Sequence, residues 1–191
     1  MNKVINISIV GVGGQGTLLS GELLCRVALL AGMDVKKSEV HGMAQRGGSV
    51  ISQVKLGPKV YSPLIPEGGT DILVSFEKVE ALRWAHLLKK DGVAMVNAQE
   101  IRPITVSTGA AQWPDELDKR LGDTFANLEL IPALDMAQEM GNAKCANVIM
   151  IGALAKHMDI DPEIWRQAIR ELVKPKFVDL NLKAFDASYN L

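Results

Sequence analysis

Short apolar blocks alternate with polar punctuation along the chain, and their period changes from block to block. Residues 4–10 form a nearly continuous, β-branched run that stops at Gly11, the pattern of a buried strand. Residues 17–31 place Leu18, Leu19, Leu23, Leu24, Val27 and Leu30 near the 3.6-residue period of a helix, with Gly32 as its stop signal. Residues 50–56 and 60–65 flank Gly57, Pro58 and Lys59 and read as two strands joined by a hairpin or bend. A strand is expected over 71–76, a helix over 77–90, and strands over 93–97 and 101–107, the last with Pro103 near its start.

The final third turns helical. Residues 127–141 read as a strand running into a helix that Gly141 ends, and 142–158 as a second helix. Asp161 caps a third with Pro162 in its first turn, and 178–189 closes the chain. The alternation predicts one α/β domain over 1–191, a three-layer Rossmann-like sandwich with helices on both faces of a mostly parallel sheet, which the hairpin would make mixed. Val148, Ile151, Leu154 and Ala155 exceed what one small domain is expected to bury, so they are read as a subunit contact.

Composition narrows the class. A length of 191 residues suits one domain, and a net charge of −1 argues against a dedicated nucleic-acid binder. Cys25 and Cys145 lie far apart inside apolar runs, as buried free thiols in a reducing cytoplasm would. No apolar stretch is long enough to span a bilayer, and the amino terminus lacks the features of a signal peptide.

The first chemical candidate is GVGGQG, comprising Gly11, Gly13, Gly14, Gln15 and Gly16 around Val12. It matches G-x-G-x-x-G between a strand and a helix, where glycines allow a sharp turn and the helix amino terminus offers free N–H groups to a phosphate. A tight turn that binds nothing fits equally well. A nicotinamide site would also need an acid at the far end of a second strand. Asp34 lies at the wrong end of VKKSEV, and Glu39 follows a polar segment carrying Lys36 and Lys37, which would instead suit a 2′-phosphate.

The second candidate, HGMAQRGGS, joins His41, Gln45 and Arg46 to Gly42, Gly47, Gly48 and Ser49. Its glycines permit close backbone approach, and Arg46 offers a forked cation for a carboxylate or phosphate. Three histidines without neighbouring donors make a metal site on this chain unexpected.

GVGGQG, EVHGMAQRGGSV and the carboxyl-terminal NLKAFDASY together resemble the small, γ-type subunit of 2-oxoacid:ferredoxin oxidoreductases over essentially the whole chain. Within that family, residues 41–48 are most similar to the indolepyruvate branch; the pyruvate and 2-oxoglutarate enzymes share the chemistry and differ in substrate. The resemblance implies a cytoplasmic enzyme that oxidatively decarboxylates arylpyruvates to acyl-coenzyme A and passes electrons to ferredoxin. It also implies a larger partner subunit that holds thiamine diphosphate, Mg²⁺ and [4Fe–4S] clusters.

Two cysteines cannot ligate such a cluster, and neither KDGVAMVN nor LGDTF completes a thiamine-binding G-D-G motif. This chain is therefore expected to hold no cofactor, to have no catalytic residue of its own and to be inactive alone, with coenzyme A as co-substrate. Gly11, Gly13, Gly14, Gln15, Gly16 and Arg46 are its candidates for a coenzyme A phosphate, and His41, Gly42, Gln45, Gly47, Gly48 and Ser49 for contact with the partner. An autonomous NAD(P)-binding oxidoreductase is the contrasting reading.

Overall fold

A computed structural model describes residues 3–41 and 47–191, with His41 and Ile104 described by backbone alone. Six strands form one mixed sheet in the order β2-β3-β1-β4-β5-β6. They are β1 (Ile5–Val12), β2 (Asp34–His41), β3 (Ser49–Gly57), β4 (Thr70–Ser75), β5 (Leu88–Asn97) and β6 (Leu128–Ile131). β1, β4, β5 and β6 run parallel, while β3 is antiparallel to both β1 and β2.

Side-chain alternation divides the sheet between two cores. Ile7 and Ile9 of β1, Val54 and Leu56 of β3 and Val74 of β4 enter the larger core. It is covered by α1 (Thr17–Leu30), α5 (Ala133–Glu139), α6 (Ala146–Ala155), α7 (Pro162–Leu172) and α8 (Val178–Tyr189). Val10, Ile51, Leu73, Ala94 and Val96 face the smaller core, under α2 (Lys78–Arg83) and α4 (Leu117–Thr124). A single turn, α3 (Ile104–Ser107), lies between α2 and α4 in the chain.

Local chemistry explains the boundaries. Gly32 sits at φ 72 just past α1, where the Met33 N–H reaches back to the Ala28 carbonyl at 2.9 Å, a glycine-closed helix end. The Asp161 carboxylate accepts the Glu163 N–H at 2.8 Å, capping α7 ahead of Pro162. Every residue of α6 is buried, so Val148, Ile151, Leu154 and Ala155 pack inside this chain rather than forming a subunit contact. A Cβ on Gly152 would lie 2.5 Å from the Phe185 carbonyl, which is why α6 and α8 approach so closely.

Four other expectations are corrected. The hairpin joins β2 to β3; residues 60–65 form a loop pinned over β3, so proximity in sequence was misleading. The helix expected over 77–90 ends at Arg83, and Leu88 already pairs with Thr70 in β5. Residues 101–107 have no place in the sheet, because Pro103 starts a turn whose carbonyl accepts the Val106 N–H at 3.0 Å. The helix expected from residue 142 begins as α6 at Ala146, after a 3-10 turn over Ala143–Cys145.

Candidate functional site

β1 and β4 are parallel neighbours whose following helices diverge. α1 leaves β1 toward the larger core, and α2 leaves β4 toward the smaller one. Such a divergence opens a crevice outside the carboxyl ends of the strands, the usual ligand position in α/β sheets. The GVGGQG turn forms its floor.

Within the turn, each residue has a definite task. A Cβ on Gly11 would lie 2.9 Å from the Gln15 Oε1 and 3.0 Å from the Phe76 Cβ, so only glycine lets Gln15 fold under the turn. The Gln15 amide is fully engaged. Its oxygen accepts the Val12 N–H at 2.7 Å, and its nitrogen donates to the Phe76 carbonyl at 2.8 Å and to the Gln99 Oε1 at 2.9 Å.

Gly13 is also internally occupied. It donates to the Gly48 carbonyl at 2.8 Å and accepts from the Gly47 N–H at 3.3 Å, so its N–H is not the one that meets a ligand. Gly14 (φ 106) and Gly16 (φ 89) take the left-handed backbone that side chains disfavour. Gly16 is the N-cap of α1 with no side-chain cap, which leaves the first-turn N–H groups of a 14-residue helix open.

A cleft of about 400 Å³ opens beside Gly14 and Gly16, lined also by Phe76, Gln99, Lys144 and Asn147. Its polar groups share one sign. The Gln99 Oε1 accepts from Gln15 and from Asn97 at 3.2 Å, so the Gln99 NH₂ is the end left over. Asn147 is 6% exposed, and its oxygen accepts the Val148 N–H at 2.8 Å. Its Nδ2 stands 2.8 Å from where a Gly16 Cβ would be, and the side-chain hydrogen bond of Asn147 among the described residues is made by its oxygen. The Lys144 side chain is exposed at the rim and has no ion-pair partner among the described residues. Helix N–H groups, two amide NH₂ groups and an ammonium make a donor-lined site, suited to an anion of phosphate type.

A second cleft, of about 270 Å³, lies on the other side of the turn against Ser49, Glu77, Glu80 and Trp113. Here the polar groups satisfy one another. Ser49 donates to the Glu80 carboxylate and accepts from the Trp84 Nε1 at 3.1 Å, while the Arg83 Nε donates to Glu80 at 3.0 Å. The Ser49 hydroxyl is thus turned inward. Glu77 caps α2 by accepting the Glu80 N–H at 2.8 Å and the Ile101 N–H at 3.2 Å. Burial pushes its carboxyl above the ordinary range, against the lowering effect of those two bonds. Burial alone would lower the Lys78 ammonium, but Asp118 at 2.7 Å and Glu100 at 3.0 Å hold it raised, tying α2 to α4.

Sequence reasoning located the turn and missed Gln99, Lys144 and Asn147. Gln99 lies two residues past the end of β5, a position that becomes meaningful only once β5 is known to lie next to β4. Asn147 lies 131 positions from Gly16 in sequence and meets it only through the fold. Gly42, Gln45 and Arg46 lie outside the described residues, and His41 ends β2 opposite Val50. Gly47 and Gly48 tie the hairpin end to the turn. Cys145 is buried and Cys25 half-buried, both free, with burial raising both thiols.

The nicotinamide geometry is not met. In a dinucleotide site the strand bearing the ribose-binding acid lies beside β1. Here antiparallel β3 separates β1 from β2, and Glu39 pairs with Lys37 at 2.6 Å.

Comparison with known proteins gives the same direction. The family described as pyruvate ferredoxin/flavodoxin oxidoreductase matches residues 6–191. The indolepyruvate oxidoreductase subunit IorB of Thermococcus kodakarensis is 44% identical over 189 residues, covering 96% of this chain and 94% of that protein. Among solved structures, the γ subunit of a keto/oxoacid ferredoxin oxidoreductase from Geobacter sulfurreducens superposes with a TM-score of 0.73 at 22% identity, over 97% of this chain and 96% of that one. The 2-oxoglutarate:ferredoxin oxidoreductase from Magnetococcus marinus, solved with 2-oxoglutarate, coenzyme A and succinyl-CoA bound, gives 0.76 at 20% identity; all of this chain corresponds to 31% of that one. This chain belongs to the pyruvate ferredoxin/flavodoxin oxidoreductase family.

Proposed function

We propose that the chain is the small subunit of an indolepyruvate:ferredoxin oxidoreductase and that its donor-lined cleft receives phosphate groups of coenzyme A. The indolepyruvate assignment is supported by the 44% identity to an indolepyruvate oxidoreductase subunit along nearly the full length of both chains. The coenzyme A role rests on one observation: beside Gly14 and Gly16, the groups of Gln99 and Asn147 left after internal hydrogen bonding are all donors. A diphosphate and a 3′-phosphate supply only acceptors to such a site.

In the complete reaction an arylpyruvate loses CO₂, two electrons leave for ferredoxin, and the acyl group joins the thiol of coenzyme A. Thiamine diphosphate with Mg²⁺ and [4Fe–4S] clusters supply the decarboxylation and electron transfer, and the larger partner subunit is their holder in this reading. Among the described residues no cluster of three or more His, Cys, Asp or Glu is arranged to bind a metal. The role of this chain is to orient coenzyme A and to dock on the partner. The hairpin end, tied through Gly47 and Gly48 to the turn, is the contact proposed to adjoin the partner.

The test is anaerobic purification of the chain with the proteins bound to it, followed by assay of ferredoxin reduction with indolepyruvate and coenzyme A. The expected result is one larger partner, activity only in the assembled complex, and dependence on both substrates. Activity restricted to pyruvate or 2-oxoglutarate would overturn the substrate. A lone chain that retains a nicotinamide nucleotide would overturn the subunit reading altogether.

A further inference from the structure

The β2–β3 hairpin has one side covered by α1, while on the other the smaller core under α2 and α4 takes in Ile51 and the segment 58–65 covers β3 from Gln53 on. Val35 opposite Leu56 and Lys37 opposite Val54 face α1, so Lys36, Ser38 and Val40, with Lys55, Gln53 and Ile51 opposite them, face the other way. On that side the segment 58–65 lies across β3, held by paired bonds between the Gln53 amide and the Ile65 backbone at 3.3 and 3.4 Å. The Asp34 carboxylate, accepting the Val60 N–H at 2.9 Å, fixes its other end. Val60 and Ile65 are buried beneath it, whereas Tyr61 is 87% exposed and Leu64 65% exposed. A well-anchored loop therefore holds two large apolar side chains in water. Val40, 64% exposed, continues this apolar surface toward the hairpin end.

The charge around these residues is mostly of one sign. Lys36 and Lys55 are direct cross-strand neighbours, a like-charge pair that costs stability in the free chain. The Lys55 ammonium lies 3.4 Å from the Leu64 carbonyl, and Lys59 is 3.8 Å from Asp34, the acid that faces this group. β2 is also an edge strand, with no strand on its outer side among the described residues.

We propose that this surface, Tyr61, Leu64 and Val40 within a rim of Lys36, Lys55 and Lys59, docks an acidic-rimmed apolar patch on the larger partner subunit. Charge complementarity selects an acidic occupant, and apolar residues inside a charged rim are the anatomy of a protein–protein contact. The Magnetococcus marinus structure, in which this fold makes up 31% of a longer chain, favours the rest of the enzyme as that occupant. The proposal rests on the small-subunit reading given above and extends its interface from the hairpin end to this lower face.

The test uses the complex, reassembled from the chain and its large subunit, with Lys36→Glu/Lys55→Glu and Tyr61→Ser/Leu64→Ser as separate double variants. Thermal melting of each free variant checks folding, and the dissociation constant is measured at low and high salt. Both variants are expected to weaken assembly about tenfold or more. The wild-type complex is expected to weaken with salt, and the charge variant to lose that salt dependence. Folded variants that assemble with wild-type affinity would overturn the proposal and leave the lysines as protection of the sheet edge. A wild-type self-associated dimer that either variant dissolves would overturn it in favour of a second copy. A wild-type chain that binds no large subunit would overturn the small-subunit reading instead.

Discussion

Two of the clefts that border the glycine turn are lined by different groups, carboxylates and a guanidinium beside Ser49, amides and one ammonium beside Gly16, and their internal hydrogen bonds leave different groups open. Beside Ser49, the Glu77 and Glu80 carboxylates are occupied by backbone, Ser49, Trp84 and Arg83. Beside Gly16, the amide oxygens are occupied internally while the Gln99 and Asn147 NH₂ groups and the α1 amino terminus remain open. The difference shows that the preference of a site is set both by which residue types line it and by what their internal hydrogen bonds leave over. It also separates roles around the turn: Gln15 builds it, and Asn147, far away in sequence, is the donor proposed to meet the ligand.

The comparison breaks first if the turn itself is not constrained as described. Gly16→Ala puts a Cβ at φ 89 and 2.8 Å from the Asn147 amide, and should lower unfolding free energy by about 2–4 kcal/mol in urea titrations. A loss below about 1 kcal/mol would mean that the turn tolerates a side chain.

Gln15→Ala removes three internal bonds and strands the Val12 N–H, so about 2–3 kcal/mol should be lost even without any ligand. If Gln15→Ala instead left stability intact and abolished coenzyme A binding alone, the division of roles between Gln15 and Asn147 would be reversed. Lys144→Ala should weaken coenzyme A binding by a smaller, salt-sensitive amount, roughly 0.5–1 kcal/mol, because the ammonium sits exposed at the rim. Calorimetric titration of the complex at two salt concentrations measures it.

The carboxylate cleft gives the smallest effect and a definite sign. The Glu77 carboxyl is raised by burial above its ordinary value of 4.5, so the folded chain holds that proton more tightly than the unfolded one. Its contribution to stability is fully present below the unfolded value and is lost as pH rises through the raised folded value. Glu77→Gln should therefore flatten the stability–pH curve across that window, as read from urea midpoints. A slope unchanged in the variant would assign the pH dependence to another group.

Much of the larger core was legible in the sequence because local patterns carry it. The buried first strand, the helical spacing that stops at Gly32, and the Asp161–Pro162 start of α7 hold, although β1 continues through Gly11 to Val12. β2 was hard to read because this edge strand carries a lysine on each face, Lys36 on the side away from α1 and Lys37 paired with Glu39 on the side toward it, rather than an apolar run. The break at Arg83 was hidden because a 3-10 turn carries the helical pattern almost to Leu88. For the site, the motif revealed the floor and not the walls. Gln99 and Asn147 reach the turn through strand order and through the packing of α6, and neither is encoded by spacing near Gly11.

The most direct measurement is the affinity of the assembled complex for coenzyme A when Asn147 is replaced by Asp. Asn147→Asp keeps an oxygen for the Val148 N–H at the start of α6, where a carboxylate is also favoured by the helix dipole, but turns the free donor into an anion. The account predicts unchanged or slightly raised thermal stability together with coenzyme A binding weakened about tenfold or more. Wild-type affinity in the folded, assembled variant would contradict it and place the phosphates of coenzyme A elsewhere in the enzyme.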